Sequence, residues 1–402
     1  MKRQLLILLI AIFSMSNLSF SIISPKSKAL IITGQNNHNW KASSPILKQL
    51  LDQTGLFSSD IATSPEKKGD MSNFNPDFSK YNVVILDYNG DSWNEKTKTA
   101  FLKFVKDGGG VVVYHAADNS FPEWKEYNEI IGIGGWGKRN EKSGPYAYYK
   151  NNILVMDTTA GIAGSHGKRS DFLVKTRIAD HPITKGLPMR WMHGSDELYS
   201  QLRGPAKNMD ILATAFANPE QGTGRDEPML MTIKYGKGRI FHTAMGHADD
   251  GGGPAMQCVG FIVTLQRGAE WAASGSVTQE VPIDFPNVGG VSIRPEFKQI
   301  TIEDDMASLV NYDIGKSTKN YTDLQERMRR SAKKGESLLL YEKLMVKIIQ
   351  NDRATTEAKK LMLRELSWIG SDYCVPAVKK LVATGDLKDE ANYTLARLKQ
   401  KN

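Results

Sequence analysis

Cysteine is nearly absent from this 402-residue chain: only Cys258 and Cys374 occur. Two cysteines cannot make a disulfide framework, and neither belongs to a metal-type pair, so a disulfide scaffold and a zinc-ribbon module are both excluded. Cys258 falls on the apolar pattern Met256, Val259, Ile262, Val263 and reads as a small buried hydrophobe. Charge is not concentrated either. The net charge of +8 is spread along the chain, and the one tight basic cluster, Arg327, Arg329, Arg330, Lys333 and Lys334, reads as a solvated helix face. Basic residues interleaved with stacking aromatics are missing, which argues against nucleic acid as a partner. Long apolar runs are missing too, except at the start. Met1-Lys2-Arg3, the apolar Leu5–Phe13 and the small polar Ser14–Ser21 predict a signal peptide over 1–21 and a periplasmic or secreted protein. No integral membrane segment is expected after its cleavage.

What is present begins with Gly108-Gly109-Gly110-Val111-Val112-Val113-Tyr114-His115-Ala116-Ala117-Asp118. Glycines end a helix, a β-branched run follows as a strand buried on both faces, and His115 and Asp118 stand at its end. The same strand–loop–helix rhythm recurs. Lys28–Thr33 leads to His38 and Trp40; Tyr81–Asp87 leads to Asn89; and a hairpin at Gly236-Lys237-Gly238 leads through Arg239–Ala244 to His247 and Asp249. That rhythm predicts a doubly wound, mostly parallel α/β layer over 28–273, with ligands bound beyond the carboxyl ends of the strands. The helix after the hairpin is expected over about 254–271, and one before it over 121–131. Residues 132–170 lack periodicity and read as an irregular lid or wall of a site. The motif Trp191-Met192-His193-Gly194-Ser195-Asp196-Glu197-Leu198-Tyr199 is expected to add polar groups from a loop. A Gly/Pro-rich linker over 274–295 then leads to amphipathic helical patterns within 296–402, which resemble a short HEAT-like repeat suited to docking a protein partner.

Imidazole beside carboxylate is the pairing proton transfer requires near neutral pH. His115 and His247 are therefore the catalytic candidates, oriented by Asp118 and Asp249. His38, Trp40, Asn89, His193, Asp196 and Glu197 are candidates for holding substrate. His181 reads as a turn residue and His242 as a packing residue. Trp40, Trp93 and Trp136 could offer flat faces to sugar rings. A second reading makes His38, His115 and His247 the ligands of a divalent metal such as Zn²⁺. A third is a non-catalytic carbohydrate-binding protein.

These motifs in this order carry a family resemblance. Thr33-Gly34 through Trp40, the Gly-rich run into His115, His181-Pro182-Ile183-Thr184-Lys185-Gly186-Leu187, Asp196-Glu197-Leu198-Tyr199, and Tyr235-Gly236-Lys237-Gly238-Arg239 through His247 resemble the ThuA-like family of trehalose utilisation. The resemblance spans about Lys28 to Trp271. It implies the fold of class I glutamine amidotransferases and a small-molecule sugar substrate: a disaccharide such as trehalose or its 3-keto derivative. It also marks a departure, because His115 stands where an amidotransferase carries its cysteine nucleophile, so glutaminase chemistry through a thioester is not expected.

Overall fold

The computed structural model describes residues 26–249, 251–298, 302–333 and 335–400. The predicted signal peptide lies outside the described residues. The chain divides after Phe297 into two compact units.

In the first unit the elements run β1 (Ser27–Thr33), α1 (Trp40–Asp52), β2 (Phe57–Thr63), β3 (Val83–Leu86), α2 (Glu95–Lys106), β4 (Gly110–Tyr114) and α3 (Lys125–Ile131). There follow β5 (Tyr146–Lys150), β6 (Ile153–Asp157), β7 (Ser170–Thr176), β8 (Arg190–Asp196), β9 (Met209–Phe216), β10 (Asp226–Tyr235) and β11 (Gly238–Thr243). Two helices, α4 (Gly253–Gln257) and α5 (Val259–Ser274), close the unit's regular structure. The sheet order is β2-β1-β3-β4-β11-β10-β9-β7-β8. From β2 to β11 neighbours are parallel. Their residues Ile31, Val84, Val112 and Phe241 are completely buried, which is why these strands read as unbroken apolar runs. From β11 outward the pairings are antiparallel, forming a wing.

Strand order reverses direction at β1: the chain goes outward to β2 and returns on the other side to β3 and β4. Right-handed crossovers then put α1 and α2 on opposite faces and open a crevice at the carboxyl ends of β1 and β3. The wing bends so that its last strand, β8, packs against α4 and α5. Trp191 of β8 sits where a Cβ on Gly260 of α5 would lie 2.2 Å from its ring, so only glycine lets the two approach.

Several local expectations change. The stretch 132–170 contains the hairpin β5–β6; its exposed Ile153, Leu154 and Met156 gave no amphipathic alternation to read. Trp191–Asp196 is a strand rather than a loop, its pattern masked by buried His193 and Gly194. The helix expected over 121–131 begins at Lys125, after the turn that Pro122 enters. The helix expected over 254–271 is broken at Cys258, whose backbone is extended. The stretch 274–295 is not a free linker: Phe285 is buried in the core of the α/β unit, with Val277, Val281 and Val291 packed on it, and Phe297 just beyond it belongs to the same core.

The second unit is all-helical: α6 (Ile302–Leu309), α7 (Lys319–Lys333), α8 (Leu339–Ile349), α9 (Thr356–Ile369), α10 (Val375–Leu381) and α11 (Lys388–Lys399). It has its own core, built on Met345, Met362, Leu363, Leu366 and Val378. No helix among the described residues is long and apolar enough to cross a membrane.

Candidate functional site

Four chain segments end at the crevice. β1 supplies His38, β4 supplies His115, β8 supplies Glu197 and β11 supplies His247. One ligand-type atom from each lies within 4.8 Å of the other three. His115 occupies a sharp strand-to-helix elbow with φ +44, a left-handed conformation that costs an imidazole-bearing residue about 1–3 kcal/mol and is characteristic of functional strain. Tyr199 stacks on its ring at 4.3 Å, and the Tyr199 hydroxyl lies 3.1 Å from His38 Nε2.

The hydrogen bonds fix which ring atoms face inward. His115 Nδ1 lies 2.7 Å from the Ala244 carbonyl, which only accepts, so Nδ1 carries the proton and Nε2 presents a lone pair. That Nε2 is buried, lacks a hydrogen-bond partner, and lies 3.7 Å from Glu197 Oε2. His247 Nε2 donates to Asp249 Oδ1 at 3.0 Å, leaving Nδ1 aimed at Glu197 Oε2 at 3.2 Å. Three acceptor atoms thus converge, and a proton or a cation must sit among them. Burial and the neighbouring imidazoles push His38 down to about 3, so it stays neutral. Burial works against a charged Glu197, but the adjacent His115 and His247 imidazoles prevail and hold its carboxyl well below the usual range. His247 is raised: burial alone would lower it, and Glu197 outweighs that. Three imidazole nitrogens and one carboxylate oxygen, two of the rings held from behind by a carbonyl and a carboxylate, fit a borderline dication such as Zn²⁺.

Not every candidate is here. Asp118 does not orient His115; it is fully buried, with His242 Nε2 3.5 Å from its carboxylate, because the turn after His115 carries it beneath the sheet end. His193 and Asp196 are both completely buried and bonded to each other at 2.7 Å, so neither can touch a sugar. Burial opposes charge on His193, yet Cys258 and Asp196 raise it to about 10. Trp40 opens α1 half-buried, with the Lys41 ammonium 5.6 Å from its ring centre. Trp93 is a core residue, 2% exposed. Asn89 donates to Asn37 Oδ1 at 2.7 Å, and the Asn37 amide reaches His38 Nε2 at 3.1 Å, so Asn89 braces the His38 loop.

The sequence reading overlooked His166. It lies exposed at the mouth with Nε2 3.8 Å from Glu197 Oε1, beside Trp136 and Tyr199. Arg169 from the same segment pairs with Asp249. The signal was the aperiodic 132–170 stretch, read as a wall of a site, from which only Trp136 was singled out.

A doubly wound α/β sheet with a polyhistidine–carboxylate pit at its strand ends defines the class of protein. The chain belongs to the ThuA family, described as trehalose utilisation, which it matches over residues 28–272. No curated protein matches it. The crystal structure of a ThuA-like protein from Parabacteroides merdae ATCC 43184 is 52% identical, covers 68% of this chain and 100% of its own, and has a TM-score of 0.67. A ThuA-like protein from Bacteroides uniformis ATCC 8492 is 21% identical over 63% of this chain and 94% of its own, with a TM-score of 0.39. The family ties the α/β unit to carbohydrate utilisation and to the glutamine amidotransferase-like fold.

Proposed function

We propose that the α/β unit is a metal-dependent enzyme acting on a disaccharide or keto-sugar, with His38, His115, Glu197 and His247 as the ligands. The observation that carries this reading is the convergence of the bare His115 Nε2 and His247 Nδ1 on Glu197 Oε2. Family membership supports the sugar. A bound dication would polarise a carbonyl or hydroxyl oxygen of the substrate. The chain's own groups do the rest. Trp136, half-buried and edge-on to Tyr199 at 4.8 Å, is positioned to stack a sugar ring. His166 Nε2, open to solvent, is the group suited to take a proton from carbon or oxygen beside that carbonyl. Asp249, held by Arg169, keeps the His247 ring in orientation. Isomerisation or elimination needs no nucleophile, in keeping with an elbow that carries imidazole instead of thiol.

The metal-free reading, in which His247 and Glu197 share a proton and act as acid and base, is favoured by the raised His247. Export rests on the charged and apolar N-terminal pattern. A HEAT-like docking role for the second unit rests on the packing of α8 against α9 and of α11 against α9 and α10.

The deciding experiment measures bound metal by mass spectrometry, and turnover on a panel of trehalose and 3-keto-disaccharides, for wild type, His115→Gln and His247→Gln. Both variants should lose the ion, with turnover falling in step. Metal-free wild type that turns over substrate would replace this reading with the acid–base one, which forecasts a drop of about 100- to 10,000-fold for each variant.

A further inference from the structure

Glu197 and His247 must be held to a fraction of an ångström if they share an ion, yet nothing in the sheet aligns them. Glu197 follows β8 and His247 follows β11, and in sheet order β10, β9 and β7 lie between those strands. No ladder hydrogen bond can set one against the other.

We infer that Asp196, backed by His193, is the positioning residue that fixes Glu197 and His247 relative to each other. Its carboxylate, 0% exposed, takes a bond from each side of the gap. Oδ1 accepts from Glu197 N at 2.7 Å and from His247 N at 3.1 Å, while Oδ2 accepts from Gly246 N at 2.6 Å. His193 Nε2 fills the remaining direction on Oδ2 at 2.7 Å, which stops the carboxylate from rotating. The His247 side is rigid enough to receive this bracing. Gly246 has φ +103, and a Cβ there would lie 2.5 Å from Phe261 and 2.8 Å from Tyr114. The Tyr114 hydroxyl also donates to the Gly246 carbonyl. A carboxylate is required because each oxygen faces N–H donors. An asparagine has one oxygen, so its NH₂ would meet either the Glu197 and His247 amides or the Gly246 amide and the His193 ring. This assignment gives Asp196 and His193, expected from the sequence to bind sugar, a role behind the site.

The inference rests on the metal-centre reading, and its test separates the two. Co²⁺ is titrated into the full chain and its d–d spectrum and dissociation constant recorded, with Zn²⁺ in competition, at temperatures well below each variant's melting point. Asp196→Asn should bind Co²⁺ about 10- to 100-fold more weakly, the range seen when groups behind metal ligands are removed, and with shifted bands, although all four ligands remain. His193→Gln should move affinity the same way by less. The comparison variant is Glu342→Gln in the helical unit, another buried carboxylate accepting backbone N–H bonds, from Ser371 and Cys374; it should leave both readouts unchanged. Folded Asp196→Asn with wild-type affinity and spectrum overturns the inference and leaves the metal centre standing. Should Asp196→Asn fail to fold, His193→Gln decides alone, and an unchanged affinity and spectrum there overturns it. Wild type that binds neither ion overturns the metal reading and this inference together.

Discussion

The two units differ in what most of their buried polar groups do. In the helical unit, buried polar side chains finish backbone structure. Glu342 accepts from Ser371 N and Cys374 N at the start of α10, and Thr394 donates to the Glu390 and Leu363 carbonyls. Asp305 forms an ion pair with Arg327, although its Oδ2, like Arg397 Nε, lacks a hydrogen-bond partner. In the α/β unit, buried imidazoles and carboxylates are left with unspent capacity: His115 Nε2, His247 Nδ1 and both oxygens of Asp118 lack hydrogen-bond partners. Leaving such atoms unpaired costs about 1–3 kcal/mol each. Two of those atoms, His115 Nε2 and His247 Nδ1, face Glu197 in the pit at the strand ends, where a proton or an ion would satisfy them. The difference favours the first unit as the seat of the proposed chemistry.

The largest test of that contrast is where the α/β unit ends. A chain stopping at Phe297 should unfold cooperatively and retain the site, whereas one stopping at Ser276 loses Phe285 and Phe297 from the core. Truncating a buried Phe typically costs about 3–5 kcal/mol, and two such losses approach the whole stability of a domain, about 5–15 kcal/mol. Denaturant titration of both chains checks this. Equal stability would return the boundary to 274, and an unfolded Phe297 chain would merge the two cores.

A smaller effect comes from pH. Burial pushes Asp87 up to about 7, against the hydrogen bonds it accepts from Ser43, Ser44 and Asn36, and Glu227 is pushed up to about 7 likewise. The folded state therefore holds these protons after the unfolded chain has released them near pH 4. Stability of the Phe297 chain should fall as pH rises from about 4 to about 7, by up to about 1.4 kcal/mol per pH unit for each group. Asp87→Asn should remove one group's share of that slope. An unchanged slope in denaturation midpoints would show that Asp87 ionises normally.

The smallest effect belongs to the helical unit. Glu342→Ala should cost about 1–3 kcal/mol, the price of two stranded amides at the α10 start, with metal content and turnover unchanged. Altered metal content would break the division of labour itself.

Much of the parallel half of the fold was legible. Apolar runs at β1, β3 and β4 and the glycines before β4 announce themselves, because strands buried on both faces allow nothing else. His38, His115 and His247 were legible for the same reason: each follows such a strand, and strand ends share one edge. The wing was not. β8 reads as polar because, apart from Trp191, its buried residues are His193, Gly194 and Asp196, whose burial depends on distant partners. Hence Glu197 could be suspected but not seated among the histidines, and Asp196 and His193 were assigned to the solvent side.

The sequence by itself determined the doubly wound layer, the helical second region, the absence of a thiol at the elbow and the three histidines, since each follows from local periodicity or from residue identity. Only the tertiary structure decided that Glu197 joins them, that Asp118 leaves them for His242, and that His166 stands at the mouth. The seating of Glu197 depends on the bend that carries the antiparallel wing back against α4 and α5. That bend is set by contacts such as Trp191 on Gly260, between residues far apart in the chain. No local pattern encodes such a contact, because its energy exists only once both surfaces are formed.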